Sequence, residues 1–189
     1  MDQTGRVQIR LMTEGDLAEV FSLELASFAD PWSVTAFALE LRHNPHGHYQ
    51  VLCLGTGGLN DPDGTSALGN TGGTGSTGAS GNTGGTGNTG SAAAPVAAYC
   101  GTWLLGDVAQ LVKLAVVPAW RQQGWGRCLF LAELCWARDC GARQLLLEVR
   151  SRNTAAVAFY TALGLERLDV LKNYYQGPSD DALVLGCAL

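Results

Sequence analysis

Basic residues are scarce in this sequence. The 189 residues include 12 lysines and arginines against 17 aspartates and glutamates, for a net charge of −5 and a pI near 5.1. That balance leaves no basic face of the kind nucleic-acid binding requires. Long apolar runs are also missing: nothing approaches the roughly 18 consecutive apolar residues that span a bilayer. The opening MDQTGRVQIR has no apolar core of signal-peptide length. The expectation is a cytoplasmic protein with neither nucleic acid nor membrane as a partner. The six cysteines form no C-x-x-C pair and lie among apolar neighbours, so they read as small buried hydrophobes rather than disulfides or zinc ligands. His43, His46 and His48 share the turn HNPHGH, but no carboxylate or cysteine stands beside them, and no metal is expected.

What is present is a globular composition, 47% apolar and 15% charged, in a chain long enough for one ordinary domain. One stretch departs from it. From Gly55 to Ala94 there is no lysine or arginine and almost no large apolar residue, and GNTGGTGSTGAS is nearly repeated by GNTGGTGNTGSA. Two such copies offer no apolar position around which to build a core, so residues 55–94 are expected to be a disordered insert within a single domain spanning 1–189. Loop-closure entropy grows only logarithmically with length, so a hairpin can tolerate an insert of this size.

The remaining residues alternate between two periodicities. Strand patterns are expected at Val7–Met12, Tyr49–Leu54, Val96–Leu104, Val108–Val117, Gln144–Arg150, Arg167–Leu171 and Ala182–Ala188. Thr13 precedes a helical stripe of Leu17, Val20, Phe21, Leu23 and Leu25, and Ser33 caps a second helix through Leu41. A third helix over Gly126–Cys140 has Cys128, Leu131, Ala132, Cys135 and Trp136 at helical spacing. A fourth starts at Asn153 or Thr154 and stops at Gly164. The order β-α-α-β-β-β-α-β-α-β-β indicates an α/β fold layered around a mixed sheet.

Two features invite chemistry. In QLLLEVRSRN, Glu148 interrupts a run that reads as a buried strand, and an ionised carboxylate there needs a partner or a function. Its structural explanation is an ion pair with Arg150 or Lys113. In VVPAWRQQGWGR, Gly124 and Gly126 permit tight turns ahead of a helix whose free N–H groups would hold an anion, with Arg121 and Arg127 flanking. A plain tight turn remains the alternative. A dinucleotide fingerprint would need a third glycine where Leu129 stands, and no G-K-[ST] follows for a P-loop.

The loop Arg121–Gln122–Gln123–Gly124–Trp125–Gly126 resembles the R/Q-x-x-G-x-G/A pyrophosphate loop of the GNAT N-acetyltransferases. FADPWS, LAVVPAWRQQGWGR, LLLEVRSRNTAAVAFYTALGL, KNYYQ and DDALVL follow in the order seen in the ribosomal-protein-alanine N-acetyltransferases of bacteria. The resemblance implies a mixed, mostly antiparallel central sheet flanked by helices and splayed at the acetyl-CoA site. It implies that Leu114, Ala115, Val116, Arg121, Gln122, Gln123, Gly124, Trp125, Gly126, Arg127 and Asn153 bind acetyl-CoA, that Glu148 is the general base, and that Tyr160 is the general acid. Trp32, Tyr174 and Tyr175 would lie by the acceptor peptide, the N-terminal alanine of a small-subunit ribosomal protein. Asp180 or Asp181 could attract its ammonium group. Asn153 is also a good helix N-cap, and Tyr160 could be a core aromatic. Alternatives to this acceptor are a small amine, a lysine or a wider set of N-termini. An acetyl-CoA-binding module with little turnover is a further alternative. Lys113 stands where relatives often have Asn.

Overall fold

The computed structural model describes residues 7–55 and 94–189; all but the two ends of the expected insert lies outside the described residues. The seven strands are β1 (Val7–Leu11), β2 (Gly47–Leu54), β3 (Val96–Leu105), β4 (Val108–Val116), β5 (Gln144–Arg150), β6 (Glu166–Gln176) and β7 (Ser179–Ala188). The helices are α1 (Leu17–Ser27), α2 (Val34–His43), α3 (Trp125–Asp139) and α4 (Thr154–Ala162). All the strands join one sheet in the order β1-β2-β3-β4-β5-β7-β6. Every neighbouring pair is antiparallel except β4 with β5. The mixed, mostly antiparallel α/β sheet expected from the sequence is therefore present, with β6 and β7 longer than their apolar patterns suggested.

Each face of the sheet buries its own cluster. Leu145, Leu147 and Val149 of β5 meet Leu129 and Phe130 of α3 and Tyr160 of α4 on one side. Val20 and Leu23 of α1, Phe37 of α2, and Tyr49, Tyr99 and Ala115 from the strands pack on the other. Fully burying side chains of this size is worth about 1.5–3 kcal/mol each. β5 is in register with β7 along its whole length, so the alternation that puts odd-numbered residues under α3 and α4 puts Leu146, Glu148 and Arg150 on the opposite face.

The parallel pair is short. β4 and β5 are in register only at Val108↔Gln144, Ala109↔Leu145 and Gln110↔Leu146. Beyond that rung β4 stays paired with β3 to Val116, and β5 with β7 to Arg150, so the facing edges of the two strands diverge. A register shift supplies the cause: Gly101 pairs with Lys113 and Thr102 with Leu111, leaving Val112 as an extra residue on β4 just past the last rung. Such a bulge bends its strand and increases its twist. The expected splay thus has a local origin.

Two helix stripes fall on different residues from those the periodicity suggested. On α3 the buried positions are Leu129, Phe130, Glu133 and Ala137, not the set containing Cys128, Leu131 and Cys135. Cys128, Cys135 and Cys140 are exposed, which corrects the expectation of six buried cysteines; only Cys53 and Cys100 are buried. On α1, Glu24 is buried and Leu25 is exposed. In both helices a buried glutamate interrupts the true apolar stripe. Each is satisfied internally: Glu133 accepts from Cys100 Sγ at 3.0 Å and faces His48 Nδ1 at 3.2 Å, while Glu24 is held from three sides.

Candidate active site

A cleft of about 610 Å³ opens where β4 and β5 part. Its walls come from Leu114, Ala115 and Val116 of β4, the loop from Trp120 to Arg127, and α4 from Asn153 to Leu163, with Ser27 and Phe28 closing one side. Because the β5-facing edge of β4 has no strand partner beyond Gln110, the backbone polar groups of Leu114–Val116 on that edge have no sheet partner and, apart from the Val116 carbonyl, which accepts from Arg121, can take a ligand.

The loop at one end is shaped for an anion. Gly124 caps α3 with φ of 87° and Gln122 has φ of 60°, so the chain turns through left-handed backbone twice before the helix begins. The first N–H groups of α3 then lack a carbonyl one turn back and point into the cleft with the positive end of the helix dipole. A Cβ on Gly126 would lie 3.3 Å from Val116 Cγ2 and 3.6 Å from Phe159, so glycine lets the helix start close against β4 and α4. Arg127 lines the cleft, whereas the Arg121 guanidinium is already engaged, donating to the Val116 carbonyl at 2.9 Å and to Ser27 Oγ at 3.1 Å. Gln123 turns away and donates to the Ala119 carbonyl at 3.3 Å.

At the other end Asn153 and Tyr160 project from α4. Asn153 Oδ1 accepts from the Ala156 N–H at 3.2 Å, so it caps the helix in this structure while its residue borders the cleft. Tyr160 is nearly buried, packed against Phe130 at 5.9 Å and Phe159 at 5.1 Å between ring centroids. A tyrosine hydroxyl is protonated at neutral pH in any case, and burial pushes this phenol further above the ordinary range. Among the described residues that hydroxyl makes no hydrogen bond, and Tyr160 is one of the residues that line the cleft.

Glu148 stands outside this set. It lies on the other face of β5, where its Oε2 accepts from Gln110 Nε2 at 2.6 Å. Neither cation considered as its partner is available: Lys113 is bound to Glu24 at 2.5 Å, and Arg150 to Asp30 at 2.8 Å. Tyr175 is nearby, donating to the Glu148 carbonyl at 3.3 Å, with its ring under the Arg150 guanidinium at 4.1 Å. Burial raises the Tyr175 phenol to about 12. Trp32 packs on Phe37 at 5.3 Å, and Tyr174 is exposed at the sheet edge. Asp180 is committed to Ser151 Oγ and the Arg152 N–H, and Asp181 to Lys172 and the Asn173 N–H. Of the three histidines, His48 stacks on Trp136 at 3.9 Å. Ser27, Phe28, Trp120 and Phe159 line the cleft without having stood out in the sequence, since ordinary helix and loop residues carry no mark of what they will face.

Comparison with known proteins bears on what this cleft holds. The model of the acetyltransferase (GNAT) family matches residues 86–165. A Bacillus subtilis protein, whose assigned name is that of a ribosomal-protein-bS18-alanine N-acetyltransferase, is 31% identical over 182 residues, covering 95% of this chain and 94% of that one. The chain belongs to the GNAT acetyltransferase family. The Escherichia coli ribosomal-protein-bS18-alanine N-acetyltransferase is 35% identical over 92 residues, covering 48% of this chain and 62% of the relative. The crystal structure of the Escherichia coli ribosomal-protein-S18-alanine enzyme shares the fold with a TM-score of 0.68 at 24% identity, over 97% of this chain and 94% of that one. An acetyltransferase of Salmonella typhimurium solved with acetyl-CoA has a TM-score of 0.63 at 16% identity, over 97% and 94% of the two chains.

As a GNAT enzyme this protein is an acetyl-CoA-dependent N-acetyltransferase. The donor set suits that substrate: N–H groups and Arg127 for phosphates at the helix start, an unpaired strand edge for an amide-bearing chain, and a protonated phenol at the far end. No helix among the described residues is long and apolar enough to cross a membrane.

Proposed function

We propose that this GNAT enzyme acetylates the N-terminal alanine of a small-subunit ribosomal protein in the cytoplasm, by direct transfer from acetyl-CoA. The observation that carries the reading is the 31% identity, across 95% of the chain, to a relative named for that activity on bS18. The pyrophosphate rests on the N–H groups of Gln122–Arg127 at the start of α3, with Arg121 shaping the loop through Val116. The β4 edge at Leu114–Val116 binds the pantetheine arm and the thioester carbonyl, and Asn153 contributes from α4. The amine nitrogen attacks the thioester carbon and the carbon–sulfur bond breaks. The departing thiolate takes the proton of Tyr160, and Glu148, through water, receives the proton lost by the amine. An α-amine, with a pKa of about 8, is easier to deprotonate near pH 7 than a lysine of about 10.4. Trp32, Tyr174 and Tyr175 line the acceptor side.

An acetylation assay over a peptide panel tests the acceptor. A peptide beginning with alanine should turn over at least tenfold faster than the same peptide with other first residues, a lysine peptide or a polyamine. Equal rates for a polyamine or for a lysine side chain would sink the assignment.

A further inference from the structure

Gln110 occupies the last rung joining β4 to β5, opposite Leu146. Its amide reaches across the point where the sheet opens and donates to Glu148 Oε2 at 2.6 Å. Among the described residues this is the one hydrogen bond that the Glu148 side chain receives. The other titratable groups on this face include Tyr49 of β2, Tyr99 of β3, Lys113 of β4, Arg150 of β5, Tyr175 of β6 and Asp180 of β7, with Glu24 of α1 packed over it. Lys113 is held by Glu24 of α1, Arg150 by Asp30 of the α1–α2 connection, and the Tyr175 hydroxyl by the Glu148 main chain. None of them orients the carboxylate. A strand polar residue with its side chain in this position, at the vertex of the splay, has no role in sheet pairing, which is a main-chain matter.

We infer that Gln110 is a positioning residue for the acetyl transfer, fixing one oxygen of Glu148 so that the other is presented to the proton leaving the amine. The inference rests on the reading of Glu148 as the base. The Gln110 amide N–H donates to one carboxylate oxygen and holds it, which leaves the other oxygen free to accept a proton. Fixing the carboxylate rotamer also removes a search that would otherwise slow each turnover. Gln110 itself touches neither the acetyl group nor the amine.

The test is the pH dependence of kcat/KM under chemistry-limited conditions for four proteins: wild type, Gln110→Met, Gln110→Glu and Glu148→Gln. Gln110→Met keeps the side-chain length without the donor. It should displace the acidic limb to higher pH and lower the plateau about tenfold, with the acetyl-CoA dissociation constant unchanged. Gln110→Glu, which sets a like charge beside the base, should move the limb further. Exchanging the two groups in Gln110→Glu with Glu148→Gln should recover thermal stability while remaining as slow as Glu148→Gln alone, because the carboxylate is then on the wrong strand. If Glu148→Gln abolishes the limb but both Gln110 variants leave it in place, or lose activity only in step with melting temperature, Gln110 is structural and the inference is overturned. If Glu148→Gln itself leaves the profile unchanged, the base assignment falls instead.

Discussion

The Glu24 carboxylate and the Lys113 ammonium meet at 2.5 Å with both side chains buried, joining α1 to β4 immediately before the residues that line the cleft. Glu24 also accepts from the Trp32 N–H at 2.8 Å and from the Tyr99 hydroxyl. Lys113 lies over the rings of Phe28 at 4.3 Å and Trp32 at 5.0 Å. One ion pair therefore fixes both ends of the connection between α1 and α2, and with it one wall of the cleft.

Lys113→Met is expected to leave Glu24 buried without its counter-charge and to destabilise the fold by about 3–5 kcal/mol. Lys113→Met combined with Glu24→Leu removes both charges, and its denaturation midpoint should lie closer to wild type than that of the single variant. A midpoint for the single variant equal to wild type would mean the pair contributes nothing.

Tyr160→Phe retains the ring contacts to Phe130 and Phe159 and removes the hydroxyl. Single-turnover measurements should show the chemical step slowed about 10²- to 10⁴-fold, while calorimetry shows acetyl-CoA affinity within about twofold of wild type. Normal turnover would take Tyr160 out of the mechanism.

Gly126→Ala places a methyl group 3.3 Å from Val116 Cγ2, against the start of α3. The Val116 side chain or the helix start must give by a few tenths of an ångström, so the affinity for acetyl-CoA should fall, while the helix preference of Ala over Gly of about 1 kcal/mol offsets the packing strain in stability. Adding Val116→Ala makes room for the methyl group and should restore much of the affinity; failure to do so would point to some other origin for the glycine.

Asp16 governs an acid-sensitive contribution at the start of α1. Its carboxylate is bonded to Arg10 at 2.6 and 2.7 Å and to the Thr13 N–H and hydroxyl, which hold it down at about 2. A carboxyl depressed in the folded state contributes its full stability above its unfolded value of about 3.9, and that contribution disappears as pH falls through the folded value. Acid titration of Asp16→Asn, followed by circular dichroism, should therefore show a protein less stable than wild type at pH 6, with the gap narrowing between about pH 4 and pH 2. A gap that stays constant over that range would contradict the assignment.

The misfit that stands out in the sequence is Glu148, because a carboxylate in QLLLEVRSRN interrupts an apolar run of three leucines and Val149. The two misfits that do not stand out are Glu24 and Glu133. A glutamate on a helix reads as part of the solvated face, so periodicity alone runs the apolar stripes through Leu25 on α1 and through Cys128 and Cys135 on α3. All three glutamates are satisfied by residues distant in the chain: Glu24 by Tyr99 and Lys113, Glu133 by His48 and Cys100, Glu148 by Gln110. Spacing within one element carries no record of such partners.

Local pattern was enough to place the strands and helices, the glycine turn before α3 and the cap at Asn153, because each depends on periodicity, backbone freedom or a side chain reaching three residues along its own chain. The family could be read there too, since its motifs are contiguous. Long-range packing settled the rest. The bulge at Val112 separates β4 from β5, and packing by α3 and α4 buries Tyr160 and raises its phenol above the ordinary value. The competition among Glu24, Asp30 and Glu148 for Lys113 and Arg150 leaves Glu148 to an amide. Electrostatic pairing depends on distance in space, and here the partners of the site come from strands and helices tens of residues apart.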